Sequence, residues 1–499
     1  MSGAIAGDGQ RAWQSRALLG LVVLFAACVF SVPVADNDLW GHVYFGRAIL
    51  AEGALPLANR YSYTAPDFPW INHEILAECL FAWTFDHAGA SGLLVLKTVV
   101  GLATLAIVAR IVIRRVASPL VWSTALVWVS SLMGWGFLVR PQIFSSLALA
   151  LLWERLDAHD VSGRTSTLVV LPLLFAIWVN THGAVVAGLG ILLLYVVLNC
   201  LRTSPVEWLP TALMGASCAL ALLVNPYGIK LPQFLWEDVT RVRSISEWQP
   251  IPLLDSSFPL YKLAAATLLG GILVKRDGRP WELATLGVAM VMAFRHQRHL
   301  PLFAIIAAPL LAETLEAGVS RWNSAPIARI GQRLVLVGLV ATTTVQLWRI
   351  AKMHRRLSGQ IFVAPEQFPI HAVDFLEENR LSGNLLLPFD WGEYAIWHLY
   401  PRCRVSIDGR YTTAYPRHVI ESSQRFFTGS TGWEESLRDA TIVLVDRRQP
   451  NALSLFAKPE WSYVYSDPTA LLYVRSSALG ERPLVRHPQA NPDTEFIFP

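Results

Sequence analysis

Apolar residues run in blocks along most of this chain. Largely apolar stretches recur near residues 17–35, 92–113, 118–137, 141–157, 167–181, 184–201, 208–224, 258–275, 281–294, 299–314 and 333–350. Each approaches the roughly 20 residues an α-helix needs to cross the hydrocarbon of a bilayer. Beyond residue 360 the blocks give way to mixed sequence. There, residues 371–380 read as a short amphipathic helix. Thr441–Asp446, Ser462–Tyr465 and Ala470–Arg475 read as strands, being short β-branched or aromatic runs between turn signals. Asp390-Trp391-Gly392, Asp408-Gly409-Arg410 and Ser466-Asp467-Pro468 read as turns or loop ends. The pattern predicts a polytopic α-helical membrane protein with about eleven transmembrane helices and a C-terminal soluble α/β domain.

Composition sharpens this class. Of 499 residues only 16% are charged, where a soluble chain carries about a quarter, and mean hydropathy is +0.41. Net charge is +4, too small to suggest a nucleic-acid partner. Five scattered cysteines (Cys28, Cys79, Cys200, Cys218, Cys403) have no metal-type spacing and predict no disulfide framework.

Charge also sets a topology. Arg11 and Arg16 precede the first apolar run, and Pro33 stands where signal cleavage needs a small residue, so the run is expected to be an uncleaved anchor. With residues 1–16 inside, the inside loops become Arg110–Arg115, Glu154–Arg164, Arg202–Glu207, Lys275–Arg279 and Arg321–Arg333, each containing Arg or Lys. The membrane domain then spans residues 17–352 with a first outer loop at 36–91. An extracytoplasmic domain follows at 360–478, then a tail at 479–499. Residues 74–89 are apolar enough to span, but Glu74, Glu78, Asp86 and His87 are costly at bilayer depth, so a helix lying in the interface is expected. Arg349, Lys352, Arg355 and Arg356 fall on the predicted outside, against the positive-inside rule, and suit lipid phosphates.

Nearly all reactive side chains fall in outer segments. Asp36 and Asp38 follow the first span. Two carboxylates at that spacing hold a divalent cation, or one acts as a general base and the other positions it; the bland alternative is a solvated loop capping a helix that starts near Leu39. On such a helix Asp38 and His42 share a face. His73 and Glu74 end the loop as an acid/base or ligand pair, or as a carboxylate satisfying a helix N-terminus. Arg140, Asn180, His182, Arg295, Arg298 and His299 sit at outer ends of separate spans. Arg295 and Arg298, three apart, can face one anion, and arginine's planar fork suits phosphate; the bland alternative is snorkelling to headgroups. Asn225-Pro226-Tyr227-Gly228 completes the outer set.

An acidic motif in the first outer loop, an interfacial helix and a terminal extracytoplasmic domain resemble the GT-C glycosyltransferases. More closely, the ordered set Asp36–His42, Ser62-Tyr63-Thr64, His73-Glu74, Arg140–Gln142, Trp178–Gly183, Asn225–Gly228, Trp391-Gly392-Glu393-Tyr394 and Asp408-Gly409-Arg410 is similar to an uncharacterised bacterial subgroup. Gly41 departs from that subgroup's pattern, which has a second Trp there. The resemblance implies a polyprenyl-phosphate-linked sugar donor, an envelope glycan, lipid or protein acceptor, and a place in the bacterial inner membrane. It implies catalysis by the first-loop acid, Asp38 or Asp36. His42, His73, Glu74, Arg140, Asn180, His182, Arg295, Arg298 and His299 are then candidates for substrate binding. The one candidate cofactor is a divalent cation, Mg²⁺ or Mn²⁺, held at the acids. Two rivals come from other classes. A flippase for a lipid-linked glycan would carry polar groups through mid-membrane, where these runs are apolar. A non-catalytic scaffold presenting glycans would not need the acids.

Overall fold

A computed structural model describes residues 2–201, 205–239, 246–274, 278–322, 326–480, 484 and 496–499. Parts of three expected inside loops (residues 202–204, 275–277 and 323–325) and most of the expected tail lie outside the described residues. The chain forms two compact units. One comprises residues 1–32 and 94–358, the other residues 33–93 and 359–499. Residues 33–93, which include the expected first outer loop, thus fold with the C-terminal domain.

The first unit is helical. Its elements are α1 (Ser2–Phe30), the later part of α3 (Ile75–Arg115), α4 (Pro119–Met133), α5 (Gln142–Ser162), α6 (Leu171–Val179), α7 (Val185–Cys200), α8 (Pro205–Ala221), α9 (Lys230–Val239), α10 (Pro259–Val274), α11 (Pro280–Arg295), α12 (Leu300–Trp322) and α13 (Pro326–Leu357); α2 (Leu39–Glu52) belongs to the other unit. Each expected span contains a helix. Among the described residues, four segments are long and apolar enough to cross a bilayer: Ala12–Phe30, Ile75–Arg115, Gln297–Arg321 and Ile330–Leu357. Five more apolar helices are shorter. The helix α4 packs against α1, α12 and α13, and α8 against α6 and α7.

Two polar networks order the helix ends of this unit. Arg115 pairs with Asp157, with Glu282 at 2.6 Å and with Glu313 at 3.3 Å. Arg279 reaches Asp157 at 2.7 Å and Asp160 at 3.0 Å. Four ends expected on the inside, from α3, α5, α11 and α12, therefore meet. The second network joins ends expected outside. Arg140 pairs with Glu247, the Arg298 guanidinium lies 4.7 Å from the Trp248 ring centroid, and His296 Nδ1 stands 2.8 Å from the Trp248 carbonyl oxygen.

The second unit carries a five-stranded sheet. Its strands are β1 (Gly383–Leu386), β2 (Cys403–Val405), β3 (Ile442–Asp446), β4 (Trp461–Ser466) and β5 (Ala470–Arg475), in the order β2-β1-β3-β5-β4. The pairs β1–β2 and β1–β3 are parallel, and β3–β5 and β4–β5 are antiparallel. The helix α14 (Ile370–Glu378) precedes β1 where a short amphipathic helix is expected, and α15 (Gly392–Leu399) supplies the long crossover that the parallel pair β1–β2 needs. The first outer loop extends the sheet: the Val405 N–H donates to Tyr61 O at 3.0 Å and the Tyr63 N–H to Val405 O at 3.2 Å. Ser62 is buried as a result. Gly89, with φ 61° and ψ −161°, interrupts α3, a conformation that costs glycine little. The break falls between the expected interfacial helix and the span after it.

Candidate functional site

The acids of the first loop meet the C-terminal domain inside the second unit. Asp38 is the N-cap of α2, and its carbonyl accepts the His42 N–H at 3.0 Å. Glu393, in the first turn of α15, is 4% exposed, and its Oε2 accepts the Gly41 N–H at 3.1 Å. Two glycines make this approach possible. A Cβ on Gly41 would lie 2.1 Å from Glu393 Oε2. A Cβ on Gly409 would lie 2.6 Å from Glu393 Oε1 and 2.7 Å from Asp38 Oδ1. In this chain a side chain at position 41 would collide with the Glu393 carboxyl. Burial pushes the Glu393 carboxyl well above its usual range. Asp38, Asp408 and Asp36 add to the rise, and Arg410 opposes it.

Beneath these acids lies a buried ion pair. Arg410 Nε and Nη2 donate to the two Asp408 oxygens at 2.8 and 2.7 Å, a bidentate pairing. Nη2 also donates to Asn59 Oδ1 at 2.8 Å, and the Tyr415 hydroxyl donates to Asp408 Oδ2 at 2.5 Å. The guanidinium carbon is 4.6 Å from the Trp70 ring centroid, 4.9 Å from Phe45 and 5.0 Å from Tyr61. Arg410 from one domain thus sits in an aromatic cage from the first loop, which holds Gly409 against the acids.

His42 faces a second cluster. Its Nδ1 lies 3.8 Å from Glu74 Oε2 and 3.9 Å from Glu78 Oε1, and His73 Nε2 lies 3.7 Å from Glu74 Oε1. Burial lowers the His42 pKa, but Glu78, Glu74 and Asp38 outweigh it and raise the value to about 8. The residue pair His73-Glu74 meets His42, with Glu78 added from the first turn of α3.

The other expected site residues lie in the first unit. Arg140 and Arg298 hold Glu247 below its usual range although burial opposes them. The helical-face argument for Arg295 and Arg298 does not survive: α11 ends at Arg295 and His296 is extended at φ −147°, ψ 115°. Arg295 is exposed, whereas Arg298 stacks on Trp248. His299 Nδ1 lies 3.3 Å from Met292 O, and its ring centroid is 5.7 Å from that of His296. Asn180 braces helix ends, donating to Ala176 O at 2.8 Å and Val224 O at 2.7 Å. His182 Nδ1 accepts from the Ser145 hydroxyl at 2.9 Å and the Ala184 N–H at 3.3 Å, while Trp178 Nε1 donates to Ser145 at 2.7 Å.

Solved structures share this architecture. The oligosaccharyltransferase of Archaeoglobus fulgidus in its apo form superposes with a TM-score of 0.57 at 12% identity, over 92% of this chain and 74% of that one. AglB of the same organism, with an inhibitory peptide and a dolichol-phosphate, gives 0.57 and 12% over 95% and 75%. ArnT from Cupriavidus metallidurans in the apo state gives 0.53 and 12% over 96% and 100%. The chain has the GT-C fold. No family model and no curated protein matches it.

Motif reading singled out Asp36, Asp38, His42, His73 and Glu74, which fall in one unit, but did not single out Glu78 and Glu393, which the fold brings beside them. Glu78 carried a signal, an acid four residues after Glu74 in an apolar helix. Glu393 carried only its place between Gly392 and Tyr394 in a motif shared with the resembling subgroup.

Proposed function

We propose that the chain is a membrane glycosyltransferase that moves a sugar from a polyprenyl-phosphate carrier to an acceptor hydroxyl or amide at the extracytoplasmic surface. The carrying observation is the convergence of Asp38, the buried Glu393 and the Gly409 backbone in one place on a GT-C fold. Asp38 takes the acceptor's proton. The acceptor heteroatom attacks the anomeric carbon, the bond from that carbon to the phosphate oxygen breaks, and the polyprenyl phosphate leaves with the electron pair. Glu393, held in its protonated form, donates to the neighbouring carboxylate and aims it. Asp36 supports Asp38.

Arg298, fixed by its stack on Trp248, holds phosphate of the carrier, whereas the exposed Arg295 is not assigned that role. His299 and Arg140 shape that end of the first unit, and Asn180 and His182 brace it. Fold neighbours support a lipid carrier: AglB was solved with a dolichol-phosphate and ArnT with undecaprenyl phosphate, the latter at a TM-score of 0.50 and 13% identity. We place the chain in a bacterial inner membrane, crossing about eleven times, with the C-terminal domain outside. The test is mass spectrometry of envelope glycans and lipids from cells carrying the intact gene, no gene, or Asp38→Asn. A sugar-bearing species present only with the intact gene is expected; identical profiles in all three overturn the reading.

A further inference from the structure

His42, Glu74 and Glu78 bring one nitrogen and two carboxylate oxygens together, all within 4.8 Å of one another. His42 is 8% and Glu78 3% exposed. A direct charge-assisted hydrogen bond would close these groups to about 2.7–2.9 Å. Instead Nδ1 stands 3.8 and 3.9 Å from the two oxygens. Donors sharing a tetrahedral ion with bonds near 2.1 Å lie about 3.4 Å apart. Side-chain movement of about half an ångström would bring each His42–carboxylate separation to that value, and the two carboxylate oxygens start within 4.8 Å of each other.

The remaining donor capacity is already directed. Glu78 Oε2 accepts Asn72 Nδ2 at 2.6 Å, leaving Oε1 toward His42. Asn72 Oδ1 accepts the Glu74 N–H at 2.9 Å, so one asparagine orients both acids, as residues behind metal ligands do. Glu74 turns Oε2 to His42 while Oε1 faces His73. Among the described residues no arginine or lysine forms an ion pair with Glu78; its charged partner is His42, so one imidazole faces two carboxylates. Two carboxylates and a neutral imidazole balance one divalent charge. An imidazole nitrogen beside carboxylates suits zinc and its borderline neighbours, whereas calcium and magnesium favour all-oxygen shells.

We propose that His42, Glu74 and Glu78 bind one divalent metal ion of the zinc type, at a site that does not use the side chains of Asp36 or Asp38. The ion ties the first turn of α2 to the start of α3 and so fixes Asp38, one helical turn before His42. This rests on the proposed function only for its consequence; the binding itself does not.

The experiment uses the full chain in detergent with its affinity tag removed. Metal content is measured by plasma mass spectrometry, then zinc is titrated calorimetrically after chelation. One zinc per chain is expected, with a melting temperature that rises on zinc addition and falls with chelator. Glu78→Gln and Glu74→Gln weaken zinc binding at least about tenfold, and Asn72→Ala about 10–100-fold. Asp36→Asn leaves the affinity unchanged. Glu74, the most exposed ligand, provides the readout if Glu78→Gln does not fold. Absence of stoichiometric zinc, wild-type affinity in the glutamine variants, or loss of binding in Asp36→Asn overturns the proposal. Zinc binding in a protein whose Asp38→Asn variant transfers sugar normally would leave this site standing and remove the base assignment.

Discussion

Replacing Glu393 by glutamine tests the buried acid without an identified substrate. The side chain is nearly isosteric and can still accept the Gly41 N–H that Glu393 Oε2 accepts at 3.1 Å. It cannot ionise. Burial first, then Asp38 and Asp408, push the native carboxyl well above its ordinary 4.5, with Arg410 pulling back. In the unfolded chain Glu393 loses its proton near that ordinary value, while in the fold it keeps it. Between the two values the unfolded state binds fewer protons, so stability falls as pH rises, by about 1.4 kcal/mol per pH unit. It levels off once the folded group ionises. The glutamine variant lacks this fall. The melting curves of the two proteins, recorded in detergent at one scan rate from pH 4.5 to 8, should nearly meet at the acid end. Above it the variant should gain roughly 3–6 °C per pH unit on wild type, for a unit of about 200 residues. A difference that stays flat with pH, or a wild type that gains on the variant as pH rises, would refute a protonated Glu393.

Asp38→Asn should leave melting nearly unchanged and lower sugar transfer by about 10²–10⁴-fold, the usual share of a general base; full activity would remove the assignment. Arg298→Lys should weaken carrier-dependent transfer, because an ammonium reproduces neither the planar fork nor the stack on Trp248, whereas Arg295→Lys should stay near wild type; equal behaviour of the two at matched membrane levels would return both to headgroup snorkelling. Gly41→Ala should destabilise by about 1–3 kcal/mol through overpacking, and Glu393→Ala in the same chain should recover much of the loss; purely additive effects in that double-mutant cycle would separate the two positions. For topology, single cysteines at the exposed positions Ser430 and Ser162 in a cysteine-free background should differ toward an impermeant maleimide in intact, outer-membrane-permeabilised cells. Ser430 should label and Ser162 should not.

What the sequence reveals of this fold follows from the range of the forces involved. Apolar blocks report helices well, because a helix in lipid needs only its own residues to be apolar and its own backbone bonds. Charged residues at separate helix ends meet in the fold, as Arg115 does with Asp157 and Glu282. The break at His296 had no local sign: no proline or glycine marks it, and it is held by the Trp248 carbonyl 48 residues away. Strands β1 and β2 were silent because they have four and three residues and make their bonds to each other and to distant partners. The site divides in the same way. Asp36, Asp38, His42 and Glu74 stand out locally, since charged groups beside apolar runs are costly without a use. Glu393 lies 352 residues from Gly41, and no spacing rule joins them. What links them is a vacancy, the missing side chain at Gly41, into which the Glu393 carboxyl fits. A glycine inside an acidic motif thus carried information about a residue in another part of the chain, legible only once the fold had brought the two together.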